Sequence, residues 1–131
     1  VVIHNRKSDD DLYNILEKYH PKGVIHCFSS DFDYAIKIIK LGIILSFTGI
    51  ITFKNSTLHD VIEKIDLSKF MIETDSPYLA PEPYRGKRNE PSYVLEIAKK
   101  VANIKNISLS DVENTTMDNT LKLFIIYYKT E

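Results

Sequence analysis

Four short apolar runs, interleaved with amphipathic segments, constrain this chain more than any other feature. The runs lie at residues 1–4, 23–28, 43–49 and 70–74, and each is rich in Val, Ile or Phe. They are too short for ordinary helices. Continuous apolar runs of this length suit strands buried on both faces, as in parallel sheets. Between them, apolar residues recur at i, i+3, i+4 and i+7: Leu12, Ile15, Leu16 and Tyr19; then Phe32, Ala35, Ile36 and Ile39; then Leu58, Val61, Ile62 and Ile65. After the fourth run come Val94, Ile97, Ala98 and Val101. Each set gives a helix one apolar stripe to lay on a sheet. The predicted order is β-α-β-α-β-α-β-α-α, and such alternation implies parallel strands joined by right-handed crossovers. Helix starts are expected at Ser8 before an acidic turn, at Ser30 as a cap, and at a capping box from Ser110 to Glu113. A last helix is expected from about residue 116 to 124 or beyond.

Composition excludes several classes. Seventeen basic and eighteen acidic side chains give a net charge of −1, so a strongly basic nucleic-acid coat is excluded and any such contact must come from a local patch or a metal. A single cysteine, Cys27, permits no internal disulfide, which makes a cytoplasmic, or nuclear, location the expectation. No apolar run approaches the roughly 20 residues that span a bilayer, so no membrane partner is expected. The 131 residues make one domain, 1–131. Val1 opens directly on an apolar run, and the chain is expected to be part of something longer.

In a parallel α/β fold, functional groups collect at the carboxyl ends of the strands. The first run ends at His4, the second passes through His26, and the fourth leads to Asp75. Separations of 22 and 49 residues forbid local contact, but a curved parallel sheet would bring all three to one rim. Each also has a plainer reading: a core histidine with satisfied hydrogen bonds, or an aspartate capping a turn before Pro77. His20 and His59 read as surface residues. Strand parity puts Glu73 on the side of Asp75, where it would orient a ligand or pair with a buried cation. Arg6, two residues past His4, would reach a phosphate or pair with Asp9 or Asp10. The long unpatterned stretch 76–89 holds Arg85, Lys87 and Arg88 around Gly86, suited to phosphate oxygens or simply solvated, with Tyr78 and Tyr84 nearby to stack on bases. Parity places Cys27 on the opposite side from His26, facing a helix as an inert thiol.

These residues carry a family likeness. VIHNR (2–6), GVIHCFSS (23–30), ILSFTGIITFKN (44–55) and IETDSPYLAPEPYRGKRNEPSYV (72–94) resemble segments of the TatD family of metal-dependent deoxyribonucleases, and the similarity runs on to LKLF (121–124). The resemblance implies a TIM barrel, of which this chain would be the C-terminal half, strands five to eight with flanking helices. It implies His4, His26 and Asp75 as ligands of divalent metal ions, Mg, Mn or Zn. Asp75 would also handle the proton of the attacking water, and Arg85 or Arg88 would stabilise phosphate charge. The implied reaction is hydrolysis of phosphodiester bonds in DNA. Related barrels that cleave esters or amides, including deacylation of aminoacylated tRNA, supply one alternative, and an inactive half-barrel assembly module another. The chain departs from the family at Ser30, where glycine is usual, and at Asp66, where proline is common. The family's first-strand histidine pair and fourth-strand glutamate have no counterpart. A complete barrel takes about 250 residues. The segment is therefore expected to be inactive alone and to need a partner, either the N-terminal half-barrel or a second copy, to cover inner-face residues such as Val2, Val24 and Phe47.

Overall fold

The computed structural model describes residues 1–124, so residues 125–131 of the expected domain, and any continuation of the last helix beyond Phe124, lie outside the described residues. Four strands, β1 (Val2–His4), β2 (Val24–His26), β3 (Ile44–Phe47) and β4 (Phe70–Ile72), form one sheet in the order β1-β2-β3-β4. Every neighbouring pair is parallel. Helices α1 (Asp9–Tyr19), α2 (Phe32–Lys40) and α3 (Leu58–Lys64) make the crossovers, and α4 (Val94–Lys105) and α5 (Leu109–Phe124) follow β4. Short 3-10 turns at Gly49–Thr52, Leu67–Lys69 and Pro91–Tyr93 complete the path.

Register sorts the strand residues into two faces. Ile25 pairs with Leu45, Leu45 with Phe70, and Phe47 with Ile72. These side chains face the helices, where Ile25, Leu45, Phe47 and Phe70 are buried with Ile38, Ile62, Ile97 and Val101. Phe47 stands edge-on to both Phe28 and Phe70, with ring centroids 6.0 and 5.2 Å apart. Such pairs add about 0.5–1.5 kcal/mol beyond their buried area. The opposite face carries Val2, Val24 and Ile44 on one level, and His4, His26, Ser46 and Met71 towards the carboxyl end. Phe47 therefore belongs to the helix side, not the inner face. The register decides this, since Ile44 rather than Phe47 is level with Val24. The inner face is also less bare than expected. Val2, on the edge strand, is 62% exposed, but Val24, between β1 and β3, only 3%.

Two helix starts differ from the sequence reading, and a third, that of α1, lies after Ser8 as expected but with a different side-chain contact. Ser8 occupies the cap position of α1, but its hydroxyl donates to Asn5 Oδ1 instead of capping. At α2 the cap is Asp31, which accepts from the Tyr34 amide, while Ser30 donates to Asp9. The last helix begins at Leu109, capped by Ser108, whose hydroxyl accepts from the Asp111 amide. Its early turns escaped the apolar pattern because its buried stripe runs Val112, Thr116, Asn119. The two polar members are satisfied locally: Thr116 donates to the Val112 carbonyl, and Asn119 to the carbonyls of Leu67 and Phe70.

Candidate metal centre at the strand ends

β1 and β2 pair in register through His4 and His26. Paired residues on parallel strands point to the same side, so both imidazoles stand on the inner face, with ring centroids 5.9 Å apart. His4 is exposed and His26 half-buried. Beyond the end of β4, Glu73 reaches across the sheet: one carboxylate oxygen accepts from His26 Nδ1 at 2.8 Å, and the other from the Cys27 amide at 2.8 Å. A carboxylate on Nδ1 fixes the tautomer, keeping the proton there and leaving the Nε2 lone pair free. That Nε2 faces Asp75 Oδ1 at 3.5 Å.

Asp75 sits in the left-handed region, φ 57°, a conformation that Asp tolerates better than most residues. It turns the chain so that the Tyr78 amide donates back to the Asp75 carbonyl. The residue that holds this turn is Asn89, which is 2% exposed. Its amide group donates to the carbonyls of Thr74 and Tyr78 at 2.7 and 2.6 Å, its backbone amide to Pro77, and its Oδ1 accepts from the Glu90 amide. One buried side chain thus staples both ends of the turn carrying Asp75. Within RGKRN the sequence alone singles out the cations and not this amide. The available signal was a lone amide closing a long loop, where buried Asn can satisfy several orphaned carbonyls at once.

Cys27 is placed differently from its parity. β2 ends at His26, and Cys27 adopts φ 50°, so alternation stops there. Its thiol lies 3.5 Å from Thr48 Oγ1 on the rim instead of facing a helix. Burial pushes the thiol pKa up, a contact with Thr48 lowers it, and the charges of Asp75 and Glu73 raise it further. His20 is exposed as expected, whereas His59 is half-buried, its Nε2 donating to the Ile51 carbonyl at 2.7 Å.

The basic residues separate. Arg6 and Arg88 are exposed, and among the described residues no ion pair joins Arg6 to Asp9 or Asp10. Arg85 lies over the Phe53 ring, its guanidinium carbon 3.6 Å from the centroid. Tyr84 stacks on Tyr93 at 3.9 Å, which occupies one of its faces.

The chain that carries these residues has counterparts among known proteins. A sequence profile described as TatD related DNase matches residues 1–125. The chain belongs to this family. An uncharacterized metal-dependent hydrolase of Buchnera aphidicola from Acyrthosiphon pisum is 42% identical over 96% of the chain and 49% of its own length. The uncharacterized metal-dependent hydrolase YcfH of Escherichia coli K12 is 39% identical over 96% of the chain and 49% of its own length. Among solved structures, the TatD homolog YJJV of Escherichia coli K12 superposes with a TM-score of 0.90 at 27% identity, covering 97% of this chain and 50% of that one. The chain spans about half the length of the curated relatives it matches. With its four parallel strands and flanking helices it has the fold of half a TatD-type TIM barrel, the C-terminal strands five to eight. Among the described residues no helix is long and apolar enough to cross a membrane.

Whether the rim suits a divalent ion can be asked of its own donors. Two lone-pair donors, His26 Nε2 and Asp75 Oδ1, face each other at 3.5 Å. They repel unless a cation or a proton lies between them, so the donor chemistry fits. The set is incomplete: among the described residues no group of three or more His, Cys, Asp or Glu side chains is gathered closely enough to enclose an ion.

Proposed function

We propose that this chain is the C-terminal half of a divalent-metal-dependent hydrolase that cleaves phosphodiester bonds in DNA. The observation that carries the reading is His26, clamped by Glu73 on one nitrogen and presenting the other to Asp75. His26 and Asp75 would hold the ion, with His4 beside them. A divalent ion supplies Lewis acidity and makes water a nucleophile near neutral pH. The carboxylate suits Mg or Mn and the imidazoles suit Zn, so the donors leave the choice of ion open. Asp75, the carboxylate nearest that position, would take the proton of the attacking water. Glu73 cannot do so, since both its oxygens are engaged. Arg85, and Arg88 or Arg6 from the rim, would neutralise phosphate charge.

The reading includes a partner. Val1 and Val2 at the β1 edge are 68% and 62% exposed, and at the β4 edge Leu95 and Met117 are 40% and 52% exposed beside a groove lined by Ile72 and Val94. Each large apolar side chain left wet forfeits about 1.5–3 kcal/mol. A second half-barrel, the N-terminal half or another copy of the chain, would cover both edges and add the remaining metal ligands.

The test is hydrolysis of DNA, beside ester and amide substrates, by the full-length protein and by its Asp75→Asn variant. Chelator-sensitive cleavage of DNA that Asp75→Asn reduces at least a thousandfold is expected. Cleavage of esters alone would move the reading to the deacylase-like barrels, and no chemistry at all would leave a half-barrel that only assembles.

A further inference from the structure

Pro77 and Tyr78, just past Asp75 in sequence, line a cavity of about 440 Å³ that shares only Arg85 with the residues assigned above. Its size is within the range of small-molecule sites, about 300–1,000 Å³. Phe53, Pro77 and Leu79 give it apolar walls, Tyr78 stands at it 70% exposed, and Arg85 and Lys87 supply two cations. The walls are held from two directions. Asn89 fixes the turn through Pro77 and Tyr78. On the other side the segment 79–82 is seated on the turn Gly49–Thr52: the Glu82 amide donates to Thr52 Oγ1 at 2.9 Å, and a Cβ at Gly49 would collide with the Leu79 carbonyl oxygen. Phe53 in turn carries the Arg85 guanidinium over its ring, a contact that orders the side chain and leaves N–H groups to donate.

An ordered guanidinium edge and an ammonium beside an apolar slot with an exposed phenol ring form a mixed surface. It matches a ligand with one flat aromatic part and one anionic part. Inorganic phosphate would use only the cations, and an apolar ligand only the walls. We propose that this cavity is a mononucleotide subsite: Tyr78 and the apolar wall receive the base, and Arg85 and Lys87 receive its phosphate. Stacking of a base on an aromatic ring is sequence-tolerant, so the subsite would seat the strand without reading it. Arg88 and Tyr84 are outside this subsite: neither lines the cavity, and Tyr84 is stacked on Tyr93. The inference rests on the phosphodiesterase reading, but its test does not need the reaction.

Binding of 2′-deoxyadenosine 5′-monophosphate to the full-length protein is measured in EDTA by calorimetry, beside deoxyribose 5-phosphate and inorganic phosphate. The expected result is that the nucleotide binds at least tenfold more tightly than either base-free probe. Tyr78→Ala and Arg85→Ala should each weaken it at least tenfold, and Tyr78→Phe should retain it. Lys87 is exposed, so Lys87→Ala, expected to weaken binding and flatten its salt dependence, serves if Arg85→Ala fails to fold. Asp75→Asn should leave this affinity within twofold. Equal affinity for phosphate and nucleotide would overturn the base site, as would nucleotide binding indifferent to Tyr78 and Arg85, or none at all. Nucleotide binding intact in a protein that hydrolyses no DNA would sink the reaction reading alone.

Discussion

The same four strands present opposite chemistry on their two faces. Towards the helices stand Ile25, Leu45, Phe47 and Phe70, none more than 1% exposed. Towards the interior the same strands carry Val24, His4, His26 and Ser46, with Glu73 and Asp75 just beyond. On the helix side a side chain is chosen by volume, because its neighbours are fixed and close. On the inner side, near the strand ends, it is chosen by what its polar atoms can hold. The two faces should therefore fail differently when substituted.

The largest effect is expected on the helix side. Phe70→Ala should cost about 3–5 kcal/mol, since the ring is fully buried and stands edge-on to Phe47. His26→Ala, on the other face, should cost less than about 1 kcal/mol of stability while removing metal binding. Urea unfolding of the full-length protein with and without chelator checks both. If His26→Ala destabilises the chelated protein as much as Phe70→Ala, the faces are not divided as described.

Glu73 sharpens the contrast within the inner face. Glu73→Gln keeps the volume but weakens the grip on His26 Nδ1, because an amide can offer its NH₂ where the ring needs an acceptor. Metal affinity should fall about 10–100-fold, as is usual when the group orienting a histidine ligand is lost. Cys27→Ala should leave metal affinity within twofold, since Cys27 contributes its backbone amide to Glu73 and not its thiol. Metal titrations of the two variants separate these outcomes. A large loss in Cys27→Ala would make the thiol a participant.

Asn89 comes next. Asn89→Ala orphans the Thr74 and Tyr78 carbonyls and should cost about 1–3 kcal/mol. Amide exchange should quicken around Asp75 and Tyr78 while the helix-side core keeps its protection. Asn89→Asp should be worse than Ala, since it puts a carboxylate against two carbonyl oxygens. An Asp variant as stable as wild type would refute the staple.

How far the sequence could be read follows the same division. The helix side was legible because burial leaves a periodic trace: Phe32, Ala35, Ile36 and Ile39 outline α2 (Phe32–Lys40), and Leu58, Val61 and Ile62 outline α3. That trace broke where buried positions are polar, at Thr116 and Asn119 of α5, so the helix start was placed too late. On the inner side, strand ends drew attention to His4, His26 and Asp75. Parity related Glu73 to Asp75 but misplaced Cys27, because alternation holds only while the backbone stays extended. Phe47 was misassigned for a related reason: composition names an apolar residue, and only register names its face. Asn89 left no periodic trace, since three of its four hydrogen bonds reach back across a loop that has no period.

The smallest effect concerns two buried hydroxyls, one on each side, that find no partner among the described residues: Tyr34 Oη in the helix layer and Ser46 Oγ on the inner face. A buried hydroxyl without a partner costs about 1–3 kcal/mol relative to a group that never needed one. Tyr34→Phe should therefore be neutral or stabilising by up to about 1 kcal/mol. It carries a pH signature as well. Burial first, then the charges of Asp9 and Asp10, push the Tyr34 pKa from 10.0 up to about 12. Between those values the unfolded chain releases this proton while the folded chain keeps it, so stability falls as pH rises from 10 to 12. Tyr34→Phe should remove that part of the decline, which urea midpoints at pH 9 and pH 11 would show. Ser46→Ala should be equally mild in the 131-residue chain. In the full-length protein the expected behaviour divides the two faces: Tyr34 lies in the layer of helices and should respond identically, whereas Ser46 faces the side that a second half-barrel would cover. A cost above about 1 kcal/mol for Ser46→Ala in the long protein alone would mean that its hydroxyl gains a partner from that covering half. Equal, negligible costs in both would leave the inner face at Ser46 dry and untouched by anything opposite.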